Sequence, residues 1–270
     1  MIKTNWHTHT YRCGHAKGTD EEYVLAAIKA GVKTLGFSDH AAYKTPNSRE
    51  RMRIEQVDEY AGSIRSLKEK YVDQIDIYVG MECEYFETEW DTLKEYRKNL
   101  DYIILGQHNL WLDGADVYHP FTREQVMQYV ALIEKACSIN FCDCIAHPDV
   151  FMWGYPGVDD TVVEAAAAIA DISLKYEVPI ELNCGSGVRY GIREFADGMR
   201  YAYPVRMFYE EFARKKCPII IGLDLHDPEL FLTDEYLNRA MSVCEGLDLN
   251  IKYDYDLIAD AKRRKFNFDV

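Results

Sequence analysis

Short apolar segments alternate with longer segments of helical periodicity throughout the chain. The short segments predict seven β-strands, at Lys3–Trp6, Thr34–Ser38, Ile75–Met81, Tyr102–Gly106, Asp143–Ala146, Pro179–Leu182 and Ile219–Leu223. Strands that alternate with helices are typical of a parallel sheet covered by helices. Because periodicity does not distinguish an open doubly wound sheet from a closed barrel, both architectures stay open at this point.

The helices are predicted from their capping residues and apolar spacing. Thr19 and Glu22 form a capping-box pair at the start of the first helix, and Gly31 supplies its stop. Thr122 and Gln125 make the same pair before another helix. Further helices are expected near Ile54–Tyr71, Trp90–Asn99, Thr161–Tyr176, Pro204–Lys216 and Asp234–Glu245.

Polar residues of metal-binding types follow the predicted strands. Apart from the sixth strand, which ends in Asn183, each strand is followed by one or two of them: His7, His9, His40, Glu82, His108, His147, Asp224 and His226. His15 lies in the loop after the first strand. A hydrogen bond at the edge of the core would explain any single histidine, but the repetition at six strand ends disfavours that explanation. The carboxyl ends of barrel strands converge on one site, so we expect a barrel with a metal site at this rim.

Two short motifs carry most of the local signal. In His7-Thr8-His9, residues two apart on an extended segment point to the same side, so both imidazoles can reach one ion. Asp224-Leu225-His226 repeats the spacing with a carboxylate and an imidazole. The candidate ligands offer nitrogen and oxygen without thiolates, a set that favours Zn, Mn or Fe.

These motifs, in their order along the chain, resemble those of the PHP (polymerase and histidinol phosphatase) superfamily, and specifically its monofunctional histidinol-phosphate phosphatases. The matching segments are His7-Thr8-His9, Ser38-Asp39-His40, Gly80-Met81-Glu82, Gly106-Gln107-His108, Ala146-His147-Pro148 and Asp224-Leu225-His226. The resemblance spans nearly the whole chain. It implies an α/β fold, a distorted (β/α)7 barrel similar to a TIM barrel, formed by a single phosphatase domain over residues 1–270.

The resemblance also implies the ligands of three divalent metal ions. It assigns His7, His9, Glu82 and Asp224 to the first ion, Glu82, His108 and His147 to the second, and His15, His40 and His226 to the third. Glu82 bridges the first two ions. We prefer it to Glu84 because it directly follows Gly80-Met81 at the strand end.

Two places depart from the family pattern. The first motif has Asn5 where the family commonly has an aspartate, and this change removes a carboxylate that could orient an imidazole. Near the last strand, Leu223 and Leu225 stand beside Asp224 where the family usually has smaller residues. We expect the first departure to alter metal affinity and the second to reshape the pocket.

Composition and charge limit the function classes. The chain has 270 residues, with 45 Asp and Glu against 31 Lys and Arg, and its net charge of −14 repels nucleic-acid phosphates. No apolar run reaches the ~18 residues of a membrane span, and the N-terminus lacks the apolar core of a signal peptide. The eight cysteines are scattered without a Cys-x-x-Cys motif, as expected for reduced thiols. We therefore expect a cytoplasmic protein without nucleic-acid or membrane partners, whose oligomeric state stays open.

The reaction implied by the resemblance is hydrolysis of a phosphate monoester, with L-histidinol phosphate of histidine biosynthesis as the substrate. The two carboxylates and seven neutral imidazoles carry two negative charges, so three divalent ions would leave a positive centre that attracts a phosphate dianion. Such ions lower the pKa of bound water to about 7 and so supply a bridging hydroxide without a Ser or Cys nucleophile. Two alternatives stay open: a phosphatase for another ester, such as a sugar phosphate or nucleotide, and a non-catalytic metal-binding module.

The candidate substrate residues lie in loops after the strands. Arg189 ends a loop that resembles the family's phosphate-binding loop, and its guanidinium fork suits phosphate oxygens. Arg193 is the reserve candidate for this role. His119, the histidine outside the ligand set, is a candidate contact for the leaving group. Asp224 and His226 are the candidates for protonating the departing alkoxide.

Overall fold

The computed structural model describes residues 2–45, 50–264 and 266. The strands in this part of the chain are β1 Thr4–Asn5, β2 Thr34–Phe37, β3 Asp76–Cys83, β4 Tyr102–Leu105, β5 Cys144–Ile145, β6 Ile180–Asn183, β7 Arg193–Phe195, β8 Gly198–Arg200, β9 Pro218–Gly222 and β10 Asn250–Ile251. The main sheet has the order β1-β2-β3-β4-β5-β6-β9-β10, and its pairs are parallel. All seven predicted strands are present in it. Strand β10 and the antiparallel β7–β8 hairpin were not predicted.

Helices connect the strands on the outside of the sheet. They are α1 Asp20–Ala30, α2 Val57–Lys70, α3 Trp90–Asn99, α4 Arg123–Ser138, α5 Asp160–Tyr176, α6 Ser186–Arg189, α7 Arg206–Lys215, α8 Glu235–Val243 and α9 Leu257–Arg263. Both predicted capping boxes form, at the starts of α1 and α4. The short helix α6 and the last helix α9 were not predicted. Within the described residues, no helix is both long enough and apolar enough to cross a membrane.

The sheet closes into a ring at the carboxyl ends of its strands. Beyond β1 and β9, Thr8 forms a parallel bridge with Leu225. The amide of His9 donates to the carbonyl of Leu225 at 2.9 Å, and the amide of Leu225 donates to the carbonyl of His7 at 3.3 Å. At the opposite end, β10 pairs with the start of β9 instead, so β1 and β9 separate there. The result is the distorted barrel that the resemblance implied.

Apolar side chains fill the interior below the rim. The hydroxyl of Tyr102, on β4, lies 2.7 Å from the carbonyl oxygen of Trp6 and 3.0 Å from that of Phe37. Because Trp6 and Phe37 belong to the β1 and β2 side of the ring, the Tyr102 side chain crosses the interior. Leu257 and Ile258, at the start of α9, pack into the same buried cluster. The interior is therefore a packed support for the rim.

Candidate metal centre

His7 and His9 follow β1 and lie side by side at the rim. Their Nε2 atoms are 3.1 Å apart, and both side chains are fully buried. The backbone bonds between this segment and Leu225 hold it extended, which is why residues two apart present their rings to the same side. The structure thus brings the two imidazoles of the first motif together as expected.

Glu82 lies at the centre of the cluster, near the end of β3. Five imidazole nitrogens surround its carboxylate: His147 Nε2 at 2.7 Å and His108 Nε2 at 3.8 Å from Oε1, and His40 Nδ1 at 2.9 Å, His9 Nε2 at 3.5 Å and His7 Nε2 at 3.6 Å from Oε2. These five histidines come from the ends of four different strands. A single carboxylate therefore contacts both groups of ligands that the resemblance assigns to the first two ions.

Asp224 faces the same space from the end of β9. Its Oδ1 lies 3.1 Å from His9 Nε2, 3.6 Å from His7 Nε2 and 3.5 Å from His226 Nδ1. Asp224 has φ +48° and His147 has φ +26°. Left-handed backbone is strained for residues other than glycine, and such strain is concentrated at functional sites.

The third group consists of His15, His40 and His226. One ring nitrogen from each of them lies within 4.8 Å of the others. The rings of His9 and His226 stack with centroids 3.9 Å apart, so this group adjoins the first. The His15 side chain is 30% exposed, which places this group at the outer edge of the cluster.

The donor set fits divalent cations. The Oε2 atom of Glu82 is buried, and among the described residues none of the nearby imidazoles, His40 at 2.9 Å included, is oriented to donate a hydrogen bond to it. Two imidazole Nε2 atoms, those of His7 and His9, face each other at 3.1 Å. Ligand atoms of a tetrahedral zinc ion lie about 3.3 Å apart, because metal–ligand bonds are about 2.0–2.1 Å. A cation between these atoms would satisfy both the carboxylate oxygen and the opposed nitrogens.

Opposite charges shift the pKa values of the central groups. Burial opposes a charge on His9, but hydrogen bonds to Asp224 and Asp39 outweigh it and raise the pKa of His9 to about 9. Burial likewise opposes ionisation of Glu82, but the neighbouring imidazoles, His40 foremost, hold its pKa well below the usual range. Without metal, the centre is therefore a network of carboxylates and imidazolium groups.

Two outer imidazoles behave differently. Burial, together with the charge of neighbouring histidines, lowers the pKa of His108 and of His226 well below the usual value. Both rings are therefore neutral near pH 7. Neutral imidazole is the form that binds a metal ion.

Sequence reasoning missed two buried carboxylates that contact candidate ligands. Glu181, in the middle of β6, has Oε1 2.8 Å from His7 Nδ1. Asp39 has Oδ1 3.4 Å from His9 Nδ1, and Thr10 donates to its other oxygen. Asp39 could have been predicted, because it stands beside the predicted ligand His40 in the motif Ser38-Asp39-His40. Glu181 could have been noticed as an acidic residue between two apolar residues of a predicted strand.

Glu84, the rejected alternative to Glu82, lies outside the cluster. Its Oε1 accepts from the backbone amides of His108 and Asn109, at 3.1 and 2.6 Å. Its Oε2 accepts from the guanidinium of Arg51 at 2.7 Å. Glu84 therefore holds the loop after β4, and Glu82 alone of the two faces the candidate ligands.

The structure does not bring all the substrate candidates to the cluster. Arg189, at the end of α6, lines a small cavity with Asp224, and within the described residues its guanidinium has no carboxylate partner. Arg193 stacks on Trp153, with its guanidinium carbon 4.0 Å from the ring centroid. The ring of His119 is 75% exposed and lies 2.8 Å from Asp116, and among the described residues no hydrogen bond or ring contact joins it to a candidate ligand. A role for His119 at the leaving group stays a prediction.

The ring of parallel strands and its histidine-rich rim define an α/β barrel with a site for divalent metals. Comparison with known proteins assigns the family: the PHP domain matches residues 5–185, and the chain belongs to this family. Asp224 and His226 lie beyond the matched residues, but they complete the same cluster. The sequence resemblance to the superfamily is thereby confirmed.

Histidinol-phosphatases are among the proteins that this chain resembles. The chain is 29% identical over 239 residues to the "Probable histidinol-phosphatase" of Deinococcus radiodurans, covering 82% of this chain and 85% of that protein. It is 32% identical over 126 residues to the "Histidinol-phosphatase" of Bacillus subtilis, covering 43% and 47%. A Lactococcus lactis histidinol phosphate phosphatase, solved with zinc, L-histidinol and phosphate, superimposes with a TM-score of 0.69 at 16% identity, covering 93% of this chain and 95% of that one. That likeness supports the barrel fold.

Proposed function

We propose that this chain is a metal-dependent phosphomonoester hydrolase that converts L-histidinol phosphate to L-histidinol and phosphate. One observation carries the proposal: the Glu82 carboxylate is surrounded by five imidazole nitrogens between 2.7 and 3.8 Å away. The activity for which the Deinococcus and Bacillus relatives are named supports the choice of reaction and substrate. The Lactococcus histidinol phosphate phosphatase, which has the same barrel fold, supports the same choice.

We assign three divalent ions to the centre, with zinc as the first candidate and manganese and iron as the others. Three of the overlapping ligand groups correspond to these ions: His7, His9 and Asp224, then His7, Glu82 and His147, and finally His15, His40 and His226. Zinc is supported by the nitrogen and oxygen ligands and by the zinc in the Lactococcus complex. His108 joins the second group, because its Nε2 lies 3.8 Å from Glu82.

Bound divalent ions would supply Lewis-acid activation of water and neutralisation of the phosphate charge. The side chains of the chain supply the rest. Arg189, which has no carboxylate partner in the described structure, is assigned to the phosphate oxygens, with Arg193 in reserve. Asp224 and His226 are assigned to proton transfer toward the departing alkoxide, and their Oδ1 and Nδ1 atoms are 3.5 Å apart.

The proposal treats residues 1–270 as one phosphatase unit. Strand β9, which Asp224 follows, pairs with β6 inside the family match, and Leu225 beyond β9 bridges to Thr8 in the segment after β1. We further propose a cytoplasmic enzyme. All eight cysteines are buried as thiols, the state that a reducing compartment maintains.

The test is phosphate release from a panel of esters by the metal-loaded protein. The panel contains L-histidinol phosphate, p-nitrophenyl phosphate, a hexose phosphate and a nucleoside monophosphate. We expect kcat/KM for L-histidinol phosphate to exceed the others by about 100-fold or more, because the leaving group adds specific contacts. A preference for another ester would overturn the substrate, and release from none would favour a non-catalytic metal-binding module.

Two matched variants check that the metal cluster is responsible. Glu82→Gln removes the central carboxylate and is expected to abolish phosphate release. Glu89→Gln removes another buried carboxylate, which accepts from the hydroxyl of Thr92 and from backbone amides and, in the part of the chain that the structure describes, bonds to no candidate ligand. This control is expected to retain wild-type turnover. Equal turnover by both variants would contradict the proposed centre.

A further inference from the structure

Glu181 is a buried carboxylate that contacts two candidate ligands from different groups. Its Oε1 lies 2.8 Å from Nδ1 of His7. Its Oε2 accepts from the backbone amide of His147 at 3.0 Å and from the side-chain amide of Asn183 at 2.8 Å. The carboxylate is only 2% exposed, so water does not replace these bonds. Both oxygens of Glu181 are therefore engaged by donors that belong to the rim.

We propose that Glu181 is the positioning residue that orients His7 and the segment of His147 for metal binding. An imidazole whose Nδ1–H donates to a carboxylate presents the lone pair of Nε2 to the metal, and the bond also fixes the ring plane. The Nε2 of His7 faces His9 Nε2 at 3.1 Å. This inference rests on the metal ligands of the proposed function.

Asn5, where the family commonly has an aspartate, makes its side-chain hydrogen bonds elsewhere than at the ring of His7. Asn5 does not orient an imidazole; its side-chain amide donates to the carbonyl of His7 at 3.0 Å and to the hydroxyl of Thr8 at 2.8 Å. Its carbonyl oxygen accepts from the amide of Leu223 at 2.9 Å, so Asn5 links β1 to β9. The carboxylate that contacts the ring of His7 comes from Glu181 on β6, the next strand but one in the ring.

Only a carboxylate satisfies all three donors. Glutamine at position 181 would offer one acceptor oxygen and one NH2 group. Whichever way the amide turned, its NH2 would face either the ring of His7 or the donors of His147 and Asn183. The absence of a side chain at Gly222 also leaves room for this carboxylate, because an added Cβ there would lie 1.7 Å from Glu181 Oε1.

The test measures zinc affinity of the full chain by competition with a fluorescent chelator, independently of turnover. Glu181→Gln is expected to weaken zinc binding by about 10- to 100-fold, the range for ligand-orienting partners. Gly222→Ala, which displaces the same carboxylate without removing its charge, is expected to weaken zinc binding in the same direction. The control is Glu89→Gln, which should bind zinc as the wild type does. Wild-type zinc affinity in Glu181→Gln would overturn the inference.

A second measurement observes the hydrogen bond in the wild-type protein itself. In the zinc-loaded wild type with 15N-labelled histidine, His7 is expected to show an Nδ1–H proton that exchanges slowly with water, assigned by its loss in His7→Ala. Absence of a proton on Nδ1 of His7 would overturn the inference. The inference about Glu181 and the proposed function can fail independently. If zinc binding depended on Glu181 but the protein had no phosphatase activity, this inference would stand and the proposed function would be overturned.

Discussion

Gly106 and Glu82 are sterically matched across neighbouring strands. An added Cβ at Gly106 would lie 1.8 Å from Oε1 of Glu82 and 2.5 Å from its carboxyl carbon. The amide of Gly106 also donates to the carbonyl of Cys83 at 3.0 Å, so the backbone cannot move away without losing a bond of the sheet. The absence of a side chain at 106 is what leaves room for the central carboxylate.

Gly106→Ala is therefore expected to displace Glu82 and disable the centre. Since real Cβ atoms do not approach other atoms so closely, the carboxylate must rotate away from the imidazoles of His147 and His40. We expect the variant to bind less zinc than the wild type and to lose most phosphate release. Metal content by mass spectrometry and phosphate assays measure both effects.

Gly62→Ala is the control for this prediction. Gly62 lies in α2, and an added Cβ there would meet nothing within 4 Å. Alanine in an exposed helix is expected to stabilise the fold by about 0.5–1 kcal/mol. A Gly106→Ala variant with the zinc content and turnover of Gly62→Ala would contradict the steric match.

Arg12 is a buried cation that bonds to Thr10, the residue after the candidate ligand His9. Its guanidinium donates to both carboxylate oxygens of Asp20, at 2.8 and 2.9 Å, and to the hydroxyl of Thr10 at 3.2 Å. Because Arg12→Met would leave the Asp20 carboxylate without its cation in a buried site, we expect a loss of about 3–5 kcal/mol in the free energy of unfolding. Urea unfolding measures it.

Arg214→Met is the matched change at the surface. Arg214 is 66% exposed and pairs with Glu211, so its loss should cost at most about 1 kcal/mol. If both arginine variants unfolded at the same urea concentration, the buried contact with Asp20 would not contribute as stated.

The pKa of His9 gives a pH dependence with a definite sign. Metal-free His9 has its pKa raised from 6.5 to about 9, so its contribution to stability is complete below pH 6.5 and is lost as the pH rises through 9. Zinc requires the deprotonated ring, so the stabilisation by zinc grows over the same range. The expected result is a urea midpoint that falls between pH 6.5 and 9.5 for chelator-treated protein, and a widening difference from zinc-loaded protein. A metal-free protein that became more stable at pH 9.5 would contradict this sign.

Arg189 provides a prediction about substrate that leaves the metals unaffected. Arg189→Ala is expected to reduce kcat/KM by about 10- to 100-fold, since hydrogen bonds to charged groups contribute about 1.5–3 kcal/mol. Arg189→Lys should recover part of this loss, because lysine keeps the charge without the fork. Zinc content should equal that of the wild type in both. Arg214→Ala is the surface control, and an Arg189→Ala variant that matched its kcat/KM would remove Arg189 from the phosphate site.

The strands and most of the cluster could be predicted because their signals are local. Each apolar run marks a strand, and His40, Glu82 or His147 stands directly after one. The barrel rule then places those positions at one rim. The structure brings together the nine side chains that sequence reasoning grouped as candidate ligands.

Other features depend on closure of the ring and have no local signal. Glu181 contacts His7, 174 positions away in the chain, only because closure of the ring leaves β9 as the one strand between β6 and β1. Thr8 and Leu225 form the closing bridge without a motif of their own. The packing role of the last helix also has no local signal, because Leu257 joins the buried interior cluster only in the folded chain.

The most direct test of the proposed metal centre is anomalous X-ray diffraction at the zinc edge from crystals of the zinc-loaded protein. We expect three anomalous peaks at the barrel rim, with nitrogen and oxygen atoms of the nine candidate ligands about 2.0–2.2 Å from them. The ligands that should border the peaks are His7, His9, His15, His40, Glu82, His108, His147, Asp224 and His226. A rim without anomalous density, or zinc bound only elsewhere on the chain, would contradict the account.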